Sequence, residues 1–587
     1  MSQIESVLAA DCGSAVTTAA LIERVRGHYR FVAHGEAASS YDDPDRDVSL
    51  GVRRAVRKIE YLVGRRLLTH EGDLITPRRQ DGDGVDAFVL VASAAEPVRT
   101  ALFGLTRHLS LASAERALAS TYAVVTGCAS ADDEQLGGRQ EALLQLLEQA
   151  EPEAIVLCGG IDGGAERAVL RSIDVVDRYC RAQPSGDRPI VVYAGNARLA
   201  PEVRRRLTDS AELRVAANVQ PTLDSSYPNA LRAILDAIYC ERKLAALPGM
   251  CRLQEWANAP LLPTARSYAQ TIHLLARRYQ LRVIGCDLGS RSTTLILSND
   301  LQSACALQPE LGVGSSAPLA LERVPLERVL AWLPFPIEPG LARVALVSAG
   351  GYAQRIAADA EGTLLEQAFA CELLRQVAST ARTGRDWPGV AAAPWDLIVA
   401  AGRTVTHAPH PAYVAWLLLN GLEPVGVSKL AIDAGNVAGM LGALANFHPA
   451  AAADVIEFDA FLTLGTLVAL AGQVRPGEVA LRLGIVFPDG RTEQHVIRGG
   501  SLVTILLDSA ERVRLELHPA RGLDVGIGAP GQSVTVEAEG GTLGIVVDAR
   551  GRPLTLPADP GACRQLIEAW LSDLGIVIHP FEETLAG

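Results

Sequence analysis

Short apolar runs recur along the first half of the chain, each closed by a glycine-bearing turn and most followed by a stretch of helical spacing. Ala87–Ser93 is a strand, and Ser113–Ala119 a helix. Gln140–Ala150 places Leu143, Leu144, Leu146 and Leu147 on one helical face. The continuous apolar run Ala154–Cys158 then leads into Gly159-Gly160-Ile161-Asp162-Gly163-Gly164. A helix to about Ala182 and a second apolar strand, Pro189–Ala194, complete a βαβ unit that ends in Gly195-Asn196. Nearer the N-terminus, His28–His34 continues a strand pattern and Val52–Leu68 has helical spacing with a basic face.

Leu244–Pro263, punctuated by Pro248, Pro260 and Pro263, shows little periodicity and separates the halves. Beyond it the pattern predicts a helix near Thr363–Ala378, a Gly/Pro/Ala-rich connector over Ser379–Trp395, the strand Asp396–Ala401 and a helix within Gly435–Leu444. From about Gly477 the grammar changes to short alternating strands broken by turns such as Pro488-Asp489-Gly490, Arg498-Gly499-Gly500 and Glu539-Gly540-Gly541. A helix over Gly561–Leu574 closes the chain. The expected division is 1–245, a connecting segment 246–282, 283–474, and a C-terminal β module 475–587.

Two segments at domain spacing say nearly the same thing. Residues 7–18 read Val-Leu-Ala-Ala-Asp-Cys-Gly-Ser-Ala-Val-Thr-Thr, and residues 283–294 read Val-Ile-Gly-Cys-Asp-Leu-Gly-Ser-Arg-Ser-Thr-Thr. Each is a strand, a tight turn and a returning strand, with an acid and small hydroxyl residues at the turn. Glycine there lets backbone approach a ligand, and successive turn N–H groups form a concave anion site. An aspartate beside such a site suits hydrated Mg²⁺, which is usually held by one or two carboxylates plus phosphate oxygens. One such turn is an ordinary hairpin; two copies carrying the same polar residues point to a shared ligand.

Composition narrows the classes. At 587 residues the chain exceeds a single core, and 49% apolar with 21% charged residues is ordinary for a globular protein. A net charge of −13 argues against a nucleic-acid binder and against attraction to an anionic membrane. No signal peptide or membrane-spanning run is read; the best apolar run, Phe461–Gly472, is far too short, so a cytoplasmic protein is expected. The ten cysteines have no metal-type spacing and read as buried thiols. His407-Ala-Pro-His410 lacks a third ligand, and the tryptophans read as core. Lys58, Lys243 and Lys429 are the only lysines, and the absence of Gly-Lys-Ser/Thr excludes a P-loop NTPase.

The paired turns resemble the two phosphate-binding hairpins of the superfamily of actin, heat-shock chaperones and sugar kinases. There, two ribonuclease-H-like lobes hold a nucleotide in the cleft between them. More narrowly, the chain resembles the glutamate mutase accessory (MutL-type) family, unrelated to the mismatch-repair protein of that name. The resemblance spans roughly residues 5–470 and rests on an ordered set: Ala92–Ala95, Leu157–Gly164, Val192–Asn196, Asn218–Pro221, Asp396–Gly402 and Gly421–Val427 with Asp433 beyond. It implies an α/β fold, a two-lobed actin-like ATPase core with a C-terminal all-β module. It also implies ATP and Mg²⁺ as cofactors and a cobalamin-dependent mutase subunit as partner, with homo-oligomerisation left open. In this reading Asp11 and Asp287 are catalytic and hold the metal. Gly13, Ser14, Thr17 and Thr18 face phosphate with Gly289, Ser290, Arg291, Thr293 and Thr294, and Gly402 lies near adenosine. Gly159 and Gly160 are read either as ligand-facing or as a helix N-terminal turn capped by Asp162.

The chain departs from the family at four places. The first turn ends Thr17-Thr18 where Thr-Lys is usual, and the second ends Ser292-Thr293-Thr294 without the usual acid. Glu96-Pro-Val-Arg99 replaces a Gly-Gly-Leu-Arg pattern, and Gly402 is followed by Arg403 rather than glycine. Arg291, inside the second turn, is read either as a phosphate partner that replaces the lost lysine or as an exposed surface arginine. Phosphoryl transfer depends on metal, water and cation placement, so these changes bear on hydrolysis more than on binding. Two readings follow: a nucleotide-binding accessory protein that chaperones or reactivates a mutase, and a degenerate actin-like scaffold acting through protein contacts without hydrolysis. A small-molecule kinase of the same superfamily ranks below both, for want of a catalytic base.

Overall fold

Ser6–Cys12 and Val283–Leu288 are buried almost throughout, so each sits inside a sheet covered on both faces. The computed structural model describes residues 4–42, 44–133, 139–351, 359–382 and 394–577. Most of the connector expected over Ser379–Trp395, Trp387 included, lies outside these residues.

The two strands anchor sheets of matching topology. In the first, Ser6–Cys12 pairs antiparallel with Val16–Val25, which pairs antiparallel with His28–Ala38, while Ala87–Ala92 joins parallel on the other side. In the second, Val283–Leu288 pairs antiparallel with Thr293–Ser298, which pairs antiparallel with Ser303–Gln308, and Leu397–Ala401 joins parallel. Each is a ribonuclease-H-like sheet, and together they form the two-lobed actin-like core that the resemblance implies.

The first lobe also carries an all-parallel sheet in the order Ala123–Ser130, Val98–Gly104, Ala154–Leu157, Ile190–Tyr193, Leu213–Val215. It has its own core of Leu147, Ile155, Ile173, Val176 and Val191. The strands after residue 475 divide between two sheets. Thr492–Arg498, Val479–Val486, Arg512–Pro519 and Val534–Glu539 make an antiparallel four-stranded sheet. Gly544–Asp548 instead runs parallel to Leu462–Ala469, so it and Leu502–Ile505 extend the second lobe's sheet. A buried ionic knot fastens this extension: Asp548 accepts hydrogen bonds from Arg550 (2.7 Å) and Arg552 (2.6 Å), while Arg550 Nη1 donates to Asn420 (2.8 Å). Burial alone would raise the Asp548 pKa, but the two guanidiniums hold it well below the carboxylate range.

The lobes are joined by two crossing helices, Thr264–Tyr279 and Ala438–Phe447. A Cβ on Gly442 would lie 2.0 Å from the Ser267 carbonyl oxygen, so only glycine permits this approach. Two hydrogen bonds lock the crossing: Thr271 Oγ1 donates to Ala438 O (2.7 Å), and Ala443 N donates to Ser267 Oγ (2.8 Å). Around them lies a core fed by both lobes, with Val7, Ala9 and Val89 beside Ile272, Val399, Leu441 and Val455. Among the described residues, no helix is long and apolar enough to cross a membrane.

Replacing Gly442 by alanine forces the helices apart and is expected to cost about 1–3 kcal/mol in urea unfolding. Gly186→Ala, where an added Cβ meets nothing within 4 Å, serves as the control and should be near neutral.

Candidate functional site

The sequence repeat is a structural repeat to the residue. In the first hairpin Asp11 pairs with Thr18 and Gly13 N donates to Val16 O (3.1 Å). In the second, Asp287 pairs with Thr294 and Gly289 N donates to Ser292 O (2.9 Å). Both aspartates therefore leave the same position of a strand whose parallel neighbour ends alongside, Val91 in one lobe and Ala401 in the other. The turns meet at a single cleft lined by Asp11, Gly13, Ser14, Thr18, Asp287, Gly289, Ser290, Arg291 and Gly402.

Three carboxylates sit at its base. Burial pushes the Asp11 pKa up to about 7, opposed by a hydrogen bond from Thr264 Oγ1 (2.7 Å) and aided by the charge of Asp287. Burial likewise lifts Asp287 to about 6. Asp433 rises to about 7 through burial and the nearby Asp287, although Val437 N (2.9 Å) and Ala438 N (2.8 Å) donate to its two oxygens. Those two bonds make Asp433 the acceptor at the start of the second crossing helix. Asp11 and Asp287 line the cleft half-buried, where partial desolvation favours a bound cation or protonation.

The remaining expected residues separate by what their side chains already do. Thr17 faces away from the cleft: a Cβ on Gly51 would lie 2.9 Å from its hydroxyl, beneath the helix Val48–Val63. Thr18 lines the cleft and receives a long 3.5 Å contact from Asn436 Nδ2. In the second turn Ser290 Oγ accepts from Ser315 N (2.9 Å), and Thr293 Oγ1 donates to Leu311 O (2.5 Å). Thr294 is buried in its strand. Arg291 lines the cleft but reaches to the first lobe, donating from Nη2 to Tyr41 Oη (2.8 Å), with Nη1 2.6 Å from Glu96 Oε1. Gly402 has φ +93°, and a Cβ there would meet Leu288 O at 2.5 Å and Asp287 Oδ1 at 2.7 Å. Gly159 and Gly160 belong to the parallel sheet's turn rather than to the cleft lining. Asn218 Nδ2 donates to Gly160 O (3.0 Å) and to Asp162 Oδ1 (2.9 Å), which also accepts from Ala197 N (2.8 Å).

Sequence reasoning left out of the site Thr264, Asn436, Gly439 and Arg403, all of which line it. Gly439 packs closely on this group, since a Cβ there would lie 3.1 Å from Thr264 Cγ2. Arg403 also borders a second, neighbouring cavity, which shares Ala15 and Ser290 with the first and is walled by Leu346, Phe369 and Gln367. Burial lowers the Arg403 pKa, while Glu36 and Glu366 oppose the fall. His407 lies 3.8 Å from Glu36, and His410 Nδ1 accepts from Ala412 N at the start of the helix Pro411–Gly421. No group of three His, Cys, Asp or Glu side chains able to hold a metal is present among the described residues. A magnesium ion that keeps its waters and phosphate ligands needs only one or two carboxylates, and Asp11 with Asp287 meets that lesser demand.

A family model described as MutL protein matches residues 7–459. No curated protein matches. Among solved structures, the chain is similar to the ethanolamine utilization protein EutJ from Carboxydothermus hydrogenoformans, with 10% identity, a TM-score of 0.28, and coverage of 75% of this chain and 88% of that one. It is similar to the activator of 2-hydroxyisocaproyl-CoA dehydratase from Clostridium difficile with bound ADPNP, at 8% identity, TM-score 0.27, and 76% and 95% coverage. Xylulose kinase from Bifidobacterium adolescentis gives 12% identity, TM-score 0.29, and 79% and 96% coverage.

The raised carboxylates set a pH dependence. Folded Asp11, Asp287 and Asp433 bind protons more tightly than their unfolded value of 3.8, so their stabilising share is complete below about pH 4. It is lost as pH climbs through about 6 to 7. Asp287→Asn should therefore raise the melting temperature at pH 8 and leave it nearly unchanged at pH 4. Asp433→Asn should lower it at pH 4, where the carboxyl is already neutral and one helix N–H loses its acceptor, and by less at pH 8, where removal of the buried charge offsets that loss. Thermal melts of both variants at the two pH values check the pair.

Proposed function

The chain belongs to the MutL protein family, and we propose that it is a nucleotide-binding accessory protein that chaperones or reactivates a cobalamin-dependent carbon-skeleton mutase of the glutamate mutase type. One observation carries the nucleotide part: two equivalent hairpins, one per lobe, bring Asp11 and Asp287 to one cleft as half-buried carboxylates, with the charge of Asp287 adding to the rise of the Asp11 pKa. A polyphosphate with its metal satisfies such a pair. In this reading the turns around Gly13-Ser14 and Gly289-Ser290 approach the phosphates, and Thr264 orients the Asp11 carboxylate. Asp11 and Asp287 hold the water shell of Mg²⁺, and the metal when bound supplies charge neutralisation. The nucleoside extends past Gly402 and Arg403 toward the cavity walled by Leu346 and Phe369.

Function then follows from the lobes. A ligand that touches both hairpins biases their relative position, and a partner that prefers one position over the other is remodelled. The mutase partner rests on the family, as does a cytoplasmic setting. The working units are taken as 1–245, 246–282, 283–474 and 475–587, the last offering partner surface.

Specific observations favour the second reading, a scaffold without hydrolysis. The Ser290 and Thr293 hydroxyls are engaged by the 311–315 segment, and Arg291 is paired with the first lobe. Hydrolysis needs a positioned water and a neutralising cation as well as binding.

Calorimetric titration with ATP and ADP in the presence of Mg²⁺ separates the two. The accessory reading predicts micromolar binding that Asp11→Ala and Asp287→Ala each weaken by roughly tenfold or more. Absence of binding to well-folded protein would leave the scaffold reading, with a purified mutase subunit as the next ligand to test.

A further inference from the structure

Arg291 is the guanidinium carried by the second hairpin, and it is largely buried, with 9% of its side chain exposed. Its two terminal nitrogens are both turned to the first lobe. Nη2 donates to Tyr41 Oη at 2.8 Å, with the guanidinium 5.6 Å from the Tyr41 ring centre. Nη1 lies 2.6 Å from Glu96 Oε1, yet it is a buried nitrogen with no hydrogen bond of acceptable angle. The charge is neutralised while the donor remains unsatisfied. Glu96 is tethered differently: its side chain is 72% exposed, and the backbone beside it is fixed where Tyr239 Oη donates to Ala95 O (3.1 Å). The pair thus joins a buried, fixed cation to a carboxylate that can swing into water at little desolvation cost.

We propose that Glu96 is a built-in competitor for phosphate at Arg291, so that the Glu96–Arg291–Tyr41 contact is a latch between the lobes that a polyphosphate opens. The inference rests on the nucleotide reading of the cleft and adds what that reading lacks, a link between ligand and lobe position. A phosphoryl group entering between the hairpins presents several acceptor oxygens to the unsatisfied Nη1 and carries more charge than a carboxylate. Glu96 leaves to solvent, and Arg291 turns its charge from the first lobe to the ligand. The exchange discriminates by chain length. A nucleotide whose terminal phosphate reaches Arg291 opens the latch, whereas a monophosphate held at the first hairpin leaves it closed.

The test uses the full chain with Glu96→Gln, which preserves shape and removes the competing charge, and Tyr41→Phe, which removes the hydroxyl acceptor but keeps the ring. Two readouts are taken: MgATP and MgAMP affinity by calorimetry, and the distance between spin labels placed one on each lobe, without ligand. Glu96→Gln is expected to tighten MgATP roughly three- to fivefold, to leave MgAMP unchanged, and to broaden the ligand-free distance distribution. Equal MgATP affinity in wild type and Glu96→Gln, with unchanged distances, overturns the latch while leaving nucleotide binding intact. If neither protein binds nucleotide, the nucleotide reading fails and the distances decide the lobe contact alone. Broadening then supports a Glu96-held contact, and an unchanged distribution overturns it. Tyr41→Phe tightening MgATP as much as Glu96→Gln would also overturn the proposal, since the competing charge would then not matter.

Discussion

The approach of Gly442 to the Ser267 backbone is the constraint on which the rest of the molecule depends. Two helices cross there without a side chain between them, and that closeness sets how near the two sheets stand. The N-terminal end of one crossing helix supplies Thr264 to Asp11, and that of the other begins at the loop anchored by Asp433. The crossing and the cleft are thus parts of one construction. A looser contact would separate the hairpins and with them the two aspartates that line the cleft.

Charge on the cleft carboxylates is unfavourable for folding. Asp11, Asp287 and Asp433 are all held above their ordinary pKa by burial. Stability is given up at a site and recovered elsewhere, here in the shared hydrophobic core around the crossing and in the buried knot of Asp548, Arg550 and Arg552. The two ionic features contrast instructively. Asp548 has two guanidiniums and falls below the carboxylate range, whereas the cleft aspartates lack an equivalent partner and rise. One is a finished internal pair; the other is a set of carboxylates whose burial is opposed chiefly by hydrogen bonds from Thr264, Val437 and Ala438.

Much of this was legible in the residues because it is local. The twin hairpins repeat polar identity as well as glycine, and strands such as Ala154–Leu157 and the helix Pro560–Asp573 fall within a residue or so of where periodicity places them. Three things were not. The helix Pro411–Gly421 is buried on every side, so its sequence has no period to read. The helix Thr264–Tyr279 follows a proline-punctuated stretch and was absorbed into the connecting segment. Gly442 looks like a weak point in a helix until its partner 175 residues away in sequence is known (442 − 267). Long-range pairings are equally silent: nothing local tells Gly544–Asp548 to lie beside Leu462–Ala469, or Arg291 to reach Tyr41 across 250 residues.

The nucleotide reading requires one ligand to contact both hairpins at once. Amide hydrogen exchange with and without MgATP, read at residues 11–18 and 287–294, tests this. Both segments are expected to gain protection together, along with the Asp433–Ala438 loop. Protection of only one hairpin, or of neither while ATP is demonstrably bound, would contradict it.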